Sequence, residues 1–188
     1  MKRETILKIF DFLKNKEYKD LPKKYLKSLS DSELIKILEN HPDGLLFFHD
    51  GYLSLFDKYI TKLPDNLYVD GWLDLSGSNI KQLPTNLNVR GNLILFDCKQ
   101  ITELPNKLYV GVSLDLGNCK KITKLPDNLY VGGYLDINYT NITELPTNLR
   151  VESDFVISDT PLAKKYTDEE IYEIVASTRG EIVGEIIR

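Results

Sequence analysis

Along most of this chain the apolar residues fall at alternate positions and then change spacing. Leu67, Val69, Leu73 and Leu75 keep a period of two, with Gly71 between them, before the spacing opens to Ile80 and Leu83. A period of two marks a strand with one buried face, and the change of spacing predicts a corner. Glycine at the inward positions Gly71, Gly91 and Gly133 predicts a bend where a side chain would collide with the next coil. Pro64, Pro84, Pro105, Pro126 and Pro146, each followed by polar residues such as Asp-Asn, supply turn chemistry.

This block recurs. ITKLPDNLYVDGWLDLSGSN from Ile60 returns from Ile80, Ile101, Ile122 and Ile142, at spacings of 20, 21, 21 and 20 residues. A degenerate copy precedes them, in which Pro42, Gly51, Leu53 and Leu55 stand for Pro64, Gly71, Leu73 and Leu75. Self-similarity at such a period predicts a solenoid, in which each unit buries its leucine layer only against its neighbours and the ends need caps. Ile6, Ile9, Phe10 and Leu13 recur at helical spacing, and Ser30 with Glu33 makes a capping-box pattern before Leu34, Ile35, Ile37 and Leu38. The chain is therefore expected to hold one structural domain of three parts. Residues 1–41 form a helical N-terminal cap, with helices at about 4–16 and 31–40. Residues 42–161 form about six repeats, and 162–188 form a C-terminal cap. There Thr167 and Glu170 repeat the capping signature and Gly180 is the expected stop. The last stretch, EIVGEIIR, fits either one helical face or a final strand.

The units resemble leucine-rich repeats, with Leu73, Leu75, Ser78 and Ile80 filling the later positions of the LxxLxLxx(N/C/T)xL core and Val69 one place off the usual first. The LP ending and short unit are similar to a bacterial subclass found in secreted effectors and, more closely, to repeat proteins of phages and large viruses. The resemblance covers Pro42 to Pro161. It implies an α/β fold: a right-handed leucine-rich-repeat solenoid with one short parallel strand per unit on a concave face, an extended or turn-like convex side, and helical caps. The ligase activity of the effectors is not carried over, because it resides in a catalytic domain after the repeats.

Composition is that of an ordinary folded chain. In 188 residues, 42% are hydrophobic and 28% charged, which places the chain among folded proteins. Charge interrupts every apolar run, Glu4 and Asp11 included, so neither a membrane span nor a secretory signal is expected and the expected location is cytoplasmic. Two cysteines and two histidines do not make a disulfide framework or a zinc site. Net charge is plus 3 over residues 1–41, minus 5 over 42–161 and minus 2 over 162–188. The lysines between Lys14 and Lys27 could meet phosphate, but their interleaved acids favour a solvated helix surface, and nucleic acid is not expected as a partner.

The outward strand positions collect the candidate chemistry. Tyr52, Phe56, Trp72, Asp74, Ile94, Phe96, Asp115, Tyr134 and Asp136 form the expected partner-binding set, aromatic at one end and acidic in the middle. A cap or loop over Trp72 and Phe96 is the competing reading. Asp115 and Asp136 in adjacent strands repel one another, so a basic partner or water would relieve them. No catalytic residue, cofactor or metal is expected, since no nucleophile–base pair or phosphate-binding glycine loop occurs. Cys98 and Cys119 share a repeat position with Ser78, Thr140 and Thr160, a column expected to be structural and reduced. Glu103, Lys124 and Glu144 read as an exposed charge ladder. The expected function is a non-enzymatic protein-binding module, with a phage or bacterial factor aimed at a host or defence protein as the extension of the resemblance. A structural or self-associating protein is the alternative.

Overall fold

The alternation survives in three dimensions, but each repeat carries two strands and not one. A computed structural model describes Ser32, the strand Leu46–Phe48, and residues 53–56, 60–106 and 108–188. One parallel sheet is built from the odd-numbered strands β1 Leu46–Phe48, β3 Leu67–Val69, β5 Asn88–Val89, β7 Tyr109–Val110, β9 Tyr130–Val131, β11 Arg150–Val151 and β13 Glu181–Ile182. A second is built from β2 Leu53–Ser54, β4 Leu73–Asp74, β6 Leu93–Ile94, β8 Leu114–Asp115, β10 Leu135–Asp136, β12 Phe155–Val156 and β14 Ile186–Ile187. The architecture is a parallel β-solenoid, and the register of Leu53 with Leu73 places the degenerate first copy in it.

The second sheet arises because the chain bends at Asp70 and Gly71 without losing its alternation. Leu67 and Val69 before the bend, and Leu73 and Leu75 after it, are all fully buried. Ile80 and Leu83 close the core on the third side of the coil. At the bend the coils approach closely. The Gly91 amide donates to the Gly71 carbonyl at 3.0 Å, and a β-carbon on Gly91 would sit 2.5 Å from that oxygen. The sequence-derived reason for glycine there is thus met at Gly91.

Left-handed backbone marks two other corners. Asn66, Asn86, Asn128 and Asn148 hold φ between 55° and 59° after the prolines, a conformation asparagine tolerates better than most residues. Gly77, Asp97, Asn118, Tyr139 and Asp159 are also left-handed after the second strand, with φ between 55° and 68°. Side-chain ladders tie these corners together: Asn86 donates to Asn66 at 3.0 Å, Asn148 to Asn128 at 2.9 Å and Asn118 to Asp97 at 2.6 Å.

Two helices interrupt the solenoid before its last coil. Helix α1, Pro161–Lys165, starts with Thr160 accepting from the Ala163 amide and proline in its first turn. Helix α2, Asp168–Ser177, has the expected capping box between Thr167 and Glu170 and buries Ile171 and Val175. The chain leaves it through Arg179, at φ 67°, one place before the expected Gly180. The ambiguous tail is strand, since β13 pairs with β11 and β14 with β12. Residues 162–188 therefore hold two helical segments and a further coil. Ser32 is helical; the expected helices at 4–16 and 31–40 otherwise lie outside the described residues. No helix among the described residues is long and apolar enough to cross a membrane.

Candidate functional site

Since Leu73, Leu93, Leu114 and Leu135 point inward, the residues beside them form the outer face of the second sheet. Three rows run across its strands. The middle row follows the strand register as Asp74, Ile94, Asp115, Asp136 and Val156. One flanking row holds Trp72 and Tyr134, the other Phe56 and Phe96. Eight of the nine residues expected to bind a partner thus share one face; Tyr52 lies outside the described residues.

The aspartates have a local reason to be there. Asp74 Oδ1 accepts from the Ser76 amide at 3.0 Å and from its hydroxyl at 2.7 Å. Asp115 accepts from the Gly117 amide and Asp136 from the Asn138 amide, both at 2.8 Å. Each carboxylate so closes the turn that ends its strand, as aspartate does in Asx turns. The repulsion expected between Asp115 and Asp136 is present, because the two are register partners. Burial raises both above the usual carboxylate range against the pull of those amides, with Asp74 adding its charge at Asp115 and Asp115 at Asp136. Burial, then the charges of Asp115 and Asp136, raise the Tyr134 phenol.

The aromatics stand higher. Phe56 is 58% exposed, Trp72 54%, Phe96 49% and Tyr134 42%. Two of them lean on backbone in the following coil. A β-carbon on Gly91 would come 2.6 Å from Trp72 Cδ1, and one on Gly117 would come 2.9 Å from Phe96 Cδ2. Glycine in one coil therefore makes room for the ring of the coil before it. The half-buried carboxylates form the middle row, with exposed rings at Trp72 and Tyr134 on one side and at Phe56 and Phe96 on the other. Among residues 53–56, 72–76, 92–96, 113–117, 134–138 and 154–158 there is no Lys, Arg or His. Arg90 pairs with Asp70 at 3.2 Å and Lys99 with Asp97 at 3.1 Å, both outside these stretches.

Other chemistry is weak. Cys98 and Cys119 are free and fully buried, donating at 3.0 Å to the carbonyls of Leu75 and Leu95. Burial raises Cys98 and pushes Cys119 up to about 12, the opposite of what an attacking thiolate needs. Among the described residues no group of three or more His, Cys, Asp or Glu could hold a metal. An open cleft of about 460 Å³ lies off this face, between the α1–α2 region and Arg188.

Two features escaped the sequence reading. Tyr139, 53% exposed at a left-handed corner, occupies a place filled elsewhere by Gly, Asp or Asn; that break in the column was its signal. Tyr109 and Tyr130 stack with ring centroids 5.5 Å apart on the first sheet, an aromatic pair distinct from the face above. Comparison with protein-family models, with curated proteins and with solved structures finds no match for this chain.

Proposed function

We propose that the chain is a leucine-rich-repeat-type binding module without enzymatic activity, and that a protein partner docks on the outer face of the second sheet. The observation that carries this is the set of four exposed rings, Phe56, Trp72, Phe96 and Tyr134, presented together by short strands of a stacked sheet. Large aromatics gain little for a monomer when half in water, yet they are the side chains most enriched among interface anchors. The resemblance to phage repeat proteins supports a host or defence protein as the partner.

The test is retention of proteins from the native cell on immobilised parent, Trp72→Ala/Phe96→Ala and Tyr109→Ala chains, read by mass spectrometry. A partner held by the parent and by Tyr109→Ala, and weakened about thirtyfold or more by the double variant, is the expected result. Equal retention by all three would sink the proposal.

Self-association is the second reading. Strands β13 and β14 end their sheets, and Val183 and Ile187 there are 57% and 42% exposed. Sedimentation equilibrium decides it: a concentration-dependent dimer unaffected by Trp72→Ala would favour this reading over the first.

A further inference from the structure

We infer that the occupant of this face is an extended, arginine-bearing cationic segment, lying across the strands over Asp74, Asp115 and Asp136 and between the rings of Trp72, Phe96 and Tyr134. The inference rests on the docking face proposed above and names the chemistry it selects.

Charge complementarity carries the argument. The middle row supplies three carboxylates, and among the described residues no Lys or Arg forms an ion pair with them. Elsewhere Asp70, Asp97 and Asp168 each have an arginine or lysine beside them. For Asp115, one oxygen is held by the Gly117 amide, so the carboxylate is already oriented before any ligand arrives. Preset acceptors lose little freedom on binding. The flanking rings add the second half of the match, because a guanidinium both forks onto a carboxylate and stacks on an aromatic face. Parallel strands stand about 4.8 Å apart, so carboxylates in the β4, β8 and β10 strands span roughly 14 Å, the reach of about four or five extended residues. An acidic or purely apolar segment would bury these carboxylates unpaired.

The probe is fluorescein-labelled octa-arginine, titrated into the full chain and followed by anisotropy and by emission of Trp72, the single tryptophan. Octa-glutamine is the neutral control. Octa-arginine should bind, shift the Trp72 emission and weaken as salt rises from about 50 to 300 mM, whereas octa-glutamine should neither bind nor shift the emission. Asp115→Asn/Asp136→Asn keeps an acceptor oxygen for each turn amide and removes the charge; it should weaken octa-arginine about tenfold or more. Glu103→Gln/Glu144→Gln, which removes the same charge elsewhere, should change affinity less than about threefold.

Equal weakening by both variants, or binding with no response from Trp72, overturns the inference, because attraction to net charge would then suffice. Should the cellular partner depend on Trp72 and Phe96 but survive the two asparagines, the face stands and its cationic occupant falls. If the partner ignores all four residues, the docking face itself fails.

Discussion

The thiol of Cys119 donates to the carbonyl of Leu95 across 3.0 Å, linking one coil of the solenoid to the one before it. The same oxygen accepts the Cys98 amide at 3.0 Å, so one carbonyl serves a turn within its coil and a bond between coils. Thr140, next in that column, instead donates to Ile137 within its own coil at 2.7 Å. The difference goes with length. Two residues separate each cysteine from the next isoleucine, Lys99-Gln100 and Lys120-Lys121, where a single asparagine follows Ser78 and Thr140.

Both thiols should therefore be inert in the folded chain. With burial holding Cys119 protonated up to about 12, iodoacetamide at about pH 8 should label neither cysteine until denaturant unfolds the protein, as mass spectrometry would report. Cys119→Ser keeps a donor and should cost about 1 kcal/mol. Rapid labelling of the native chain would contradict the buried column.

Gly91 and Gly117 should respond differently to alanine. At Gly91 the new β-carbon meets the Gly71 carbonyl at 2.5 Å, and backbone there has no room to yield; denaturant titration should show a loss of about 1–3 kcal/mol. At Gly117 the closest atom, at 2.9 Å, belongs to the Phe96 ring. That ring can swing toward water, so the loss should stay below about 1 kcal/mol. Equal losses would mean that Phe96 is held more firmly than its exposure implies.

Stability should fall as pH rises through the range where Asp115 and Asp136 ionise in the fold. Burial raises both, so above the ordinary aspartate value of about 4 the folded state binds more protons than the unfolded one. Asp115→Asn and Asp136→Asn remove that penalty while keeping the turn acceptor. Each variant should melt above the parent at pH 7, and the gap should close below about pH 4. A parent that melts above both variants at pH 7 would show that the turn needs the charge.

Removing the residues after Gly180 should destabilise the solenoid. It deletes β13 and β14, exposes the sheet edges of β11 and β12, and takes away Ile182, which is only 8% exposed. It also removes the Gly184 carbonyl that accepts from the Tyr172 hydroxyl at 2.8 Å. Calorimetry should record a melting temperature lower by several degrees. An unchanged melting temperature would mean that β13 and β14 add little to the stack.

The repeat, its register and its inward column were legible without coordinates. Leucine, valine and isoleucine at fixed offsets over five copies leave one way to stack, since any slip would turn apolar residues to water. The capping box at Thr167 was legible for the same kind of reason, because it needs only residues three apart. The outward set was legible as a set: alternation puts Trp72, Asp74, Ile94, Phe96, Asp115, Tyr134 and Asp136 opposite the leucines whatever the path of the chain.

Tertiary structure decided what period two cannot encode. A straight strand and a strand bent at Gly71 bury the same alternate residues, so only the approach of neighbouring coils shows that each repeat feeds two sheets. The tail EIVGEIIR was ambiguous because its apolar spacing suits helix and strand alike; the open edges of β11 and β12 resolve it, by offering the hydrogen bonds that Val183 and Glu185 complete with Val151 and Phe155. The aspartates show the limit most plainly. Sequence marks them as neighbouring like charges whose Asx turns need only residues two apart, while the burial that raises Asp115 and Asp136, and the rings that stand on either side, exist only once the coils are stacked.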